Sequence, residues 1–149
     1  MPDVLELTVD KFTFTVPTDR FYSDEGLWTQ PDENRVKVGL SDYLQQSSGD
    51  MAFVMVRKVG STLVFGQEVA QIETVKANVG LSSPVAGTIV EVNPALEDTP
   101  EIINSDPYGE GWLAVIEAQD WERDRARLLD APAYLARIKT QVEEEANKR

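Results

Sequence analysis

The chain has 149 residues, 42% of them hydrophobic, and a formal net charge of −12. A chain of this length forms one domain that buries roughly 70% of the surface of its unfolded state, so we predict a single domain over residues 1–149. The negative charge argues against nucleic acid and anionic membranes as partners, because both carry charge of the same sign.

Two residue types are absent, cysteine and histidine. Without cysteine there is no disulfide, no thiol nucleophile and no soft metal ligand. Without histidine the usual general base near neutral pH and the commonest transition-metal ligand are missing. Composition leaves carboxylate chemistry open, but redox or acyl-transfer chemistry needs a borrowed cofactor. We assign no metal site and no catalytic residue to the chain.

The sequence also gives an expectation for location. Its start, Met-Pro-Asp, lacks the basic and apolar regions of a signal peptide. The longest apolar run, residues 51–56, is too short to span a bilayer. We expect a cytoplasmic monomer with no membrane partner.

The N-terminal segment predicts a β-hairpin. Apolar residues alternate with polar ones over residues 5–9 and 12–16, which is the period of half-buried strands. The pair Asp10-Lys11 suits the turn between them. We treat residues 1–15 as an N-terminal extension hairpin that precedes the main body.

The segment that follows, residues 16–118, predicts a β body. Residues 35–38 read as a short strand, and Ser41 suits the N-cap of a short helix that ends near Gly49. Residues 50–93 are rich in valine and interrupted by glycine and proline, which is typical of short strands joined by turns. The pattern indicates a sandwich or a flattened barrel.

The last segment, residues 119–149, predicts two helices over about 120–129 and 132–145. Apolar residues recur at helical spacing in the second helix, Pro132 suits its first turn, and Asp130 can cap it. Both helices should pack on the β body.

One lysine stands apart from the other charged residues. Between Val59 and Glu122 the only basic residue is Lys76, among many acidic ones. Apolar residues flank a polar centre in the segment Val69–Leu81, which predicts a hairpin with Lys76 at its tip. A lysine in that position is exposed, so a modifying enzyme can reach its ammonium group. We expect no other lysine in such a setting.

The order of motifs around this lysine resembles the lipoyl/biotinyl carrier family. The motifs are Val-Gly at 59–60, Ile-Glu-Thr-Val-Lys-Ala at 72–77, Ser-Pro-Val-Ala-Gly at 83–87 and Val-Glu-Val-Asn at 90–93. Biotin carriers usually flank the lysine with methionines, whereas valine and alanine flank it here, as in the lipoylated branch. The resemblance implies a mainly β barrel-sandwich hybrid with C-terminal helices and lipoate bound through an amide to Lys76. It also implies that a lipoate-protein ligase recognises Glu73, Thr74, Val75 and Ala77.

Further stretches are similar to the glycine cleavage system H proteins. They are Asn93–Asn104, Asp106–Leu113, Val38–Tyr43, and Gly49–Asp50 with Phe53–Val54, so the resemblance covers roughly residues 16–140. In the Asp106–Leu113 stretch we predict a turn whose glycines supply positive φ. The resemblance implies a carrier that is not an enzyme, with lipoate-protein ligase and dihydrolipoamide dehydrogenase among its partners.

The chain departs from this family at one motif. H proteins typically carry His-Glu-Trp in the strand before the Val-Gly-Ile-Thr-Asp-Tyr motif, and here the matching residues are Gly26-Leu27-Trp28. With the N-terminal extension, this departure favours an H-like lipoate-binding protein that works with a heterodisulfide-reductase-like complex in bacterial sulfur oxidation. On this interpretation the lipoylated protein supports glycine decarboxylation poorly, and Gly26→His with Leu27→Glu improves it.

Two alternatives stand beside the sulfur-oxidation hypothesis. The first is an H protein that carries an aminomethyl group between the glycine cleavage enzymes. The second is an unmodified adaptor whose hairpin only binds partners.

Overall fold

The computed structural model describes residues 3–147, which contain eleven strands and five helices. The strands are β1 (Val4–Val9), β2 (Phe12–Pro17), β3 (Phe21–Tyr22), β4 (Leu27–Asp32), β5 (Arg35–Leu40), β6 (Met51–Val56), β7 (Thr62–Leu63), β8 (Glu68–Thr74), β9 (Asn78–Ser82), β10 (Gly87–Val92) and β11 (Ala114–Ala118). The helices are α1 (Asp42–Ser48), α2 (Ala95–Asp98), α3 (Ile102–Ser105), α4 (Trp121–Arg125) and α5 (Ala131–Asn147). None of these helices is long and apolar enough to cross a membrane.

Two antiparallel sheets share the main core. The larger sheet has the strand order β3-β4-β5-β11-β10-β7, and the smaller one has the order β6-β8-β9. We call the smaller one the carrier sheet. Side chains from both sheets, among them Leu40, Ile72, Leu81 and Ile116, pack together with no exposed surface. This arrangement confirms the predicted mainly β barrel-sandwich fold with C-terminal helices.

The predicted N-terminal hairpin is present as a separate two-stranded sheet. Strands β1 and β2 pair antiparallel with Val9 opposite Phe12, and Asp10 has a φ of 56° in the turn. Strand β2 continues to Pro17, two residues beyond the predicted boundary at residue 15. A second core joins the hairpin to the larger sheet and to α5, and its buried members are Phe14, Val16, Tyr22, Trp28, Ala131, Tyr134 and Ile138.

The short helix and the last helix lie where their capping residues predict. Ser41 caps α1, with its Oγ accepting a hydrogen bond from the Leu44 N–H at 3.2 Å, and Gly49 follows the helix end. Asp130 caps α5, with its Oδ1 accepting from the Ala133 N–H at 3.0 Å. Local polar residues therefore fix both helix starts.

The first C-terminal helix is shorter than predicted. Helix α4 ends at Arg125 instead of continuing to residue 129. Leu129 instead pairs with Tyr22 of β3 through two backbone hydrogen bonds of 2.7 and 2.8 Å. The pairing requires an extended backbone at Leu129, which a helix through that residue cannot provide.

The turn at residues 106–111 differs from the prediction in its backbone. Gly109 and Gly111 are not among the glycines with positive φ. A Cβ on Gly109 would lie 2.5 Å from Asp106 Oδ2, and one on Gly111 would lie 2.8 Å from the Ile102 carbonyl oxygen. These glycines are required because other groups approach them closely, so the predicted reason was wrong.

Gly39 on β5 generates a test of the packing around Trp28. A Cβ on Gly39 would lie 2.6 Å from two carbons of the Trp28 ring, which is fully buried. Because the ring has no room to move, Gly39→Ala should lower the free energy of unfolding by about 1–3 kcal/mol, as in overpacked cores. Urea denaturation measures the change.

Gly80→Ala is the matched control for Gly39→Ala. The three atoms nearest to a methyl group added at Gly80 all belong to the side chain of Glu68, which is exposed and can swing away. Its effect on the free energy of unfolding should stay within about 0.5 kcal/mol. Equal losses at the two glycines would contradict the packing argument.

Candidate functional site

The turn between β8 and β9 places Lys76 at the tip of a hairpin, which confirms the predicted position. We call residues Thr74–Ala77 the carrier turn. The Thr74 N–H donates to the Ala77 carbonyl oxygen at 2.9 Å. The Thr74 Oγ1 accepts hydrogen bonds from the N–H groups of Lys76 and Ala77, both at 3.1 Å. The threonine hydroxyl therefore closes the turn without using the lysine side chain.

The Lys76 side chain is exposed. Within residues 3–147 none of the salt bridges involves Lys76. Its methylene chain passes beside Gly49, where an added Cβ would lie 3.5 Å from Lys76 Cδ and Cε. The ammonium group is thus accessible to an enzyme that acylates it.

The link between α1 and β6, residues 49–50, contacts the backbone of the carrier turn. The Val75 N–H donates to the Asp50 carbonyl oxygen at 3.3 Å. Asn104 of α3 holds both sides of this link, because its Nδ2 donates to the Gly49 carbonyl oxygen at 3.0 Å and its Oδ1 accepts from the Met51 N–H at 2.9 Å. No sequence motif pointed to Asn104, whose only signal is that it is a polar residue directly after two isoleucines.

The four residues assigned to ligase recognition lie together but differ in setting. Glu73, Val75 and Ala77 are exposed, so a modifying enzyme can contact them. Thr74 is half-buried and its hydroxyl is occupied in closing the turn. Recognition by a ligase stays a prediction for all four, and for Thr74 the structure supplies a turn-closing role.

A second lysine shares the hairpin setting, contrary to expectation. Lys11 is exposed in the turn between β1 and β2. The alternating sequence pattern predicted Lys11 in this turn, but none of the carrier motifs surrounds it. A hairpin turn alone therefore does not distinguish Lys76 from other lysines.

A polar network ties the N-terminal hairpin to the helix beneath the carrier turn. The Asp42 Oδ2 accepts from both the N–H and the hydroxyl of Thr15, at 3.0 and 3.2 Å. The Tyr108 hydroxyl donates to the Thr15 carbonyl oxygen at 2.6 Å and accepts from the Asp42 N–H at 3.0 Å. Burial raises the pKa of Tyr108 well above its usual range, so this hydroxyl stays protonated and can donate.

The departure at Gly26-Leu27 has a packing explanation. Leu27 has no exposed surface and belongs to the main core. Gly26 has a φ of 109°, and a Cβ there would lie 2.9 Å from the Tyr134 hydroxyl oxygen and 3.1 Å from Leu44 Cβ. The retained Trp28 is buried and donates from Nε1 to the Pro107 carbonyl oxygen at 2.9 Å. Neither Gly26 nor Leu27 can be replaced by a polar side chain without rearrangement.

Comparison with known proteins gives consistent matches. A family model described as "Glycine cleavage H-protein" matches residues 20–141. The glycine cleavage system H protein of Thermus thermophilus is 45% identical over 119 residues, which are 80% of this chain and 92% of that protein. The probable glycine cleavage system H protein of Natronomonas pharaonis is 43% identical over 126 residues, covering 85% and 98% respectively.

A solved structure agrees with these matches. The crystal structure of a glycine cleavage system H protein from Mycobacterium marinum superposes with a TM-score of 0.73 at 32% identity. The match covers 81% of this chain and 97% of that chain. Strands β1 and β2 precede the residues that match the family model.

The geometry at Gly26-Leu27 reverses the expectation for the double substitution Gly26→His with Leu27→Glu. A glutamate at position 27 buries an unpaired charge, and a histidine at position 26 meets Tyr134 with a strained backbone. The free energy of unfolding should fall by about 3 kcal/mol or more. Urea denaturation measures the loss, and the exposed neighbour variant Asp24→Asn should stay within about 0.5 kcal/mol. A double variant as stable as the parent would refute the packing explanation.

Proposed function

Because the chain belongs to the glycine cleavage H-protein family, we propose that it is a lipoyl carrier of the glycine cleavage system. Lipoate would be held by an amide to Lys76, and the cargo would be an aminomethyl group passed between partner enzymes. The single observation that carries this proposal is the exposed Lys76 on a turn that closes without it.

The residues present fit a covalently held lipoyl group. Amide formation needs an accessible amine, and the Lys76 ammonium group lies outside the salt bridges of residues 3–147. Acylation leaves the turn intact, because the Thr74 hydroxyl and the backbone hold it. When bound, lipoate supplies the redox-active sulfurs that a chain without cysteine lacks.

The contribution of the protein itself is presentation of the arm. The Asp50 and Asn104 contacts hold the carrier turn on the body, so the Lys76 Cα stays in place while the side chain extends into solvent. We assign no catalytic residue to the chain, and the chemistry belongs to the partners. Acylation also neutralises the only basic residue between Val59 and Glu122. The carrier then becomes more acidic and is steered toward basic surfaces on partner enzymes.

The comparisons support a role in glycine cleavage. They give no support to the sulfur-oxidation hypothesis that the sequence had favoured. The relatives named above are all glycine cleavage H proteins. The preference for a heterodisulfide-reductase-like partner depended largely on Gly26-Leu27, and the packing of these residues accounts for that departure. The partners we propose are a lipoate-protein ligase and the glycine cleavage enzymes, including dihydrolipoamide dehydrogenase. The cytoplasmic location and the monomeric state stay predictions.

Substitution of the carrier lysine tests the attachment site. Lys76→Arg should abolish the lipoyl mass adduct in protein made with an active ligase, because a guanidinium group is not acylated. The free energy of unfolding should stay within about 0.5 kcal/mol, as for other exposed sites. Intact mass spectrometry and urea denaturation measure the two effects.

Lys11→Arg is the matched control, because Lys11 also lies exposed in a hairpin turn. This variant should keep the complete adduct. An adduct that survives Lys76→Arg would refute the assignment, and one lost only in Lys11→Arg would move it to the N-terminal hairpin. Parent protein that is never modified would favour the unmodified adaptor.

A reconstituted reaction tests the cargo. Lipoylated protein mixed with the glycine cleavage enzymes of another organism should support glycine decarboxylation within about tenfold of that organism's own H protein, a loss attributable to imperfect docking. Release of labelled carbon dioxide from carboxyl-labelled glycine gives the rate, and Lys76→Arg protein gives the background. If fully lipoylated protein gives a rate no higher than that of Lys76→Arg protein, the result would favour the sulfur-oxidation hypothesis over glycine cleavage.

A further inference from the structure

Strand β6, which begins beside the carrier turn, has a free hydrogen-bonding edge. It is the end strand of the carrier sheet, and no other strand of residues 3–147 pairs with its outer side. The Arg57 N–H donates to the Val69 carbonyl oxygen, toward β8. Backbone groups alternate in direction along a strand, so those of Met55 also face β8 while those of Val54 and Val56 face outward. The outer edge therefore offers donors and acceptors to an added strand.

The composition of β6 is unusual for an edge strand. Its sequence, Met-Ala-Phe-Val-Met-Val, has no charge and no proline. Two of its large side chains are half-exposed, Phe53 at 50% and Met55 at 58%. Edge strands of this kind pair readily with other chains, and proteins usually protect them with charges, proline or a covering element. Strand β6 has neither a charge nor a proline of its own, and the four-residue helix α2 that contacts it leaves Phe53 and Met55 exposed. The edge is therefore only partly protected, which indicates a surface that binds a partner.

An open groove of about 350 Å³ lies along this edge. Residues 53–56 form one wall, and the segment from Val92 to Pro100, which includes α2, forms the other. The lining is mainly apolar and includes Val92 and Leu96, so it can receive side chains from a strand paired with β6.

The charge of the groove wall formed by Val92–Pro100 indicates which kind of partner can bind. Glu97 lines the groove and is exposed, Asp98 and Glu101 are exposed beside it, and residues 92–101 contain no basic residue. A second copy of this chain is disfavoured, because each copy carries a net charge of −12 and the same acidic wall. A segment with a lysine or an arginine fits the wall better.

The position of the groove connects it to the carrier site. Met51, the first residue of β6, pairs with Thr74 of the carrier turn. The residue before it, Asp50, accepts the backbone hydrogen bond from Val75. A segment bound along β6 therefore brings the rest of its protein next to Lys76.

We propose that the free edge of β6 and its groove dock an extended segment of an enzyme that acts on the arm at Lys76. The segment pairs with β6 as an added strand, places alternate apolar side chains in the groove, and directs a lysine or arginine to Glu97. This inference rests on the proposed function, because it requires an enzyme that acts on the arm.

The first test uses a charged substitution on the edge strand and a matched control. Met55→Lys places a positive charge where we expect a basic segment to bind. Val64→Lys makes the same change at a similarly exposed valine that does not line the groove. Both proteins are lipoylated first, and intact mass confirms equal loading. Turnover is then measured with glycine decarboxylase, aminomethyltransferase and dihydrolipoamide dehydrogenase separately.

For at least one of the three enzymes, Met55→Lys should raise the KM for the carrier by about tenfold or more and leave kcat within about twofold, as expected for lost docking contacts. Val64→Lys should leave both parameters unchanged. An unchanged KM with all three enzymes would overturn the docking proposal while the carrier function stands. Absent lipoylation or turnover in the parent protein is a separate result, which counts against the proposed function.

The second test observes the strand edge directly. Amide hydrogen exchange of Val54 and Val56 should slow by about tenfold or more when the affected enzyme is added, because an added strand protects these amides. The protection should disappear with Met55→Lys. Exchange that is unaffected by the enzyme would overturn strand addition. Protection that instead increases with the concentration of the carrier alone would identify a second copy as the occupant and also overturn the proposal.

Discussion

The structure depends on a turn that is held without the side chain it presents. In a chain with a net charge of −12, an exposed lysine has many acidic residues with which to pair, and such pairing would hinder an acylating enzyme. The hydroxyl of Thr74 closes the turn through two backbone N–H groups instead. The Lys76 side chain therefore does not contribute to closing the turn. Conversion of its ammonium group to an amide leaves the hydrogen bonds that support the turn unchanged.

The support for this turn extends through the molecule in polar steps. Asn104 joins the end of α1 to the start of β6, and Asp50 passes that support to the carrier turn. On the other side of α1, Asp42 and Tyr108 bind the backbone of Thr15 in the N-terminal hairpin. Each of these side chains satisfies backbone groups that would otherwise be partly buried and unpaired. The added hairpin is thus joined to the body by specific hydrogen bonds as well as by a second core.

The departure from the family motif at Gly26 and Leu27 is explained by packing. A missing histidine and glutamate suggest a changed chemical function when only the sequence is considered. In the structure the Tyr134 hydroxyl and Leu44 occupy the space beside Gly26, and Leu27 fills the main core. The substitution is therefore compensated by packing from α1 and α5, so it gives little information about the cargo of the arm.

The sequence by itself determined the features that neighbouring residues encode. Alternating apolar residues defined the N-terminal hairpin, Ser41 and Asp130 defined two helix starts, and the pattern around Lys76 defined its hairpin tip. Strand period, capping and turn chemistry each depend on a few adjacent residues, so they can be inferred without the fold.

Tertiary structure alone decided the features that depend on residues far apart in the chain. Pairing of Leu129 with Tyr22 ends α4 early, and Ile102 and Asp106 impose the glycines of the 106–111 turn. Asn104 binds Gly49 and Met51, which lie more than fifty residues away in the sequence, and supports the carrier turn through them. Such contacts arise when the two sheets and α5 close around their cores, and no local pattern records which distant residues will then meet.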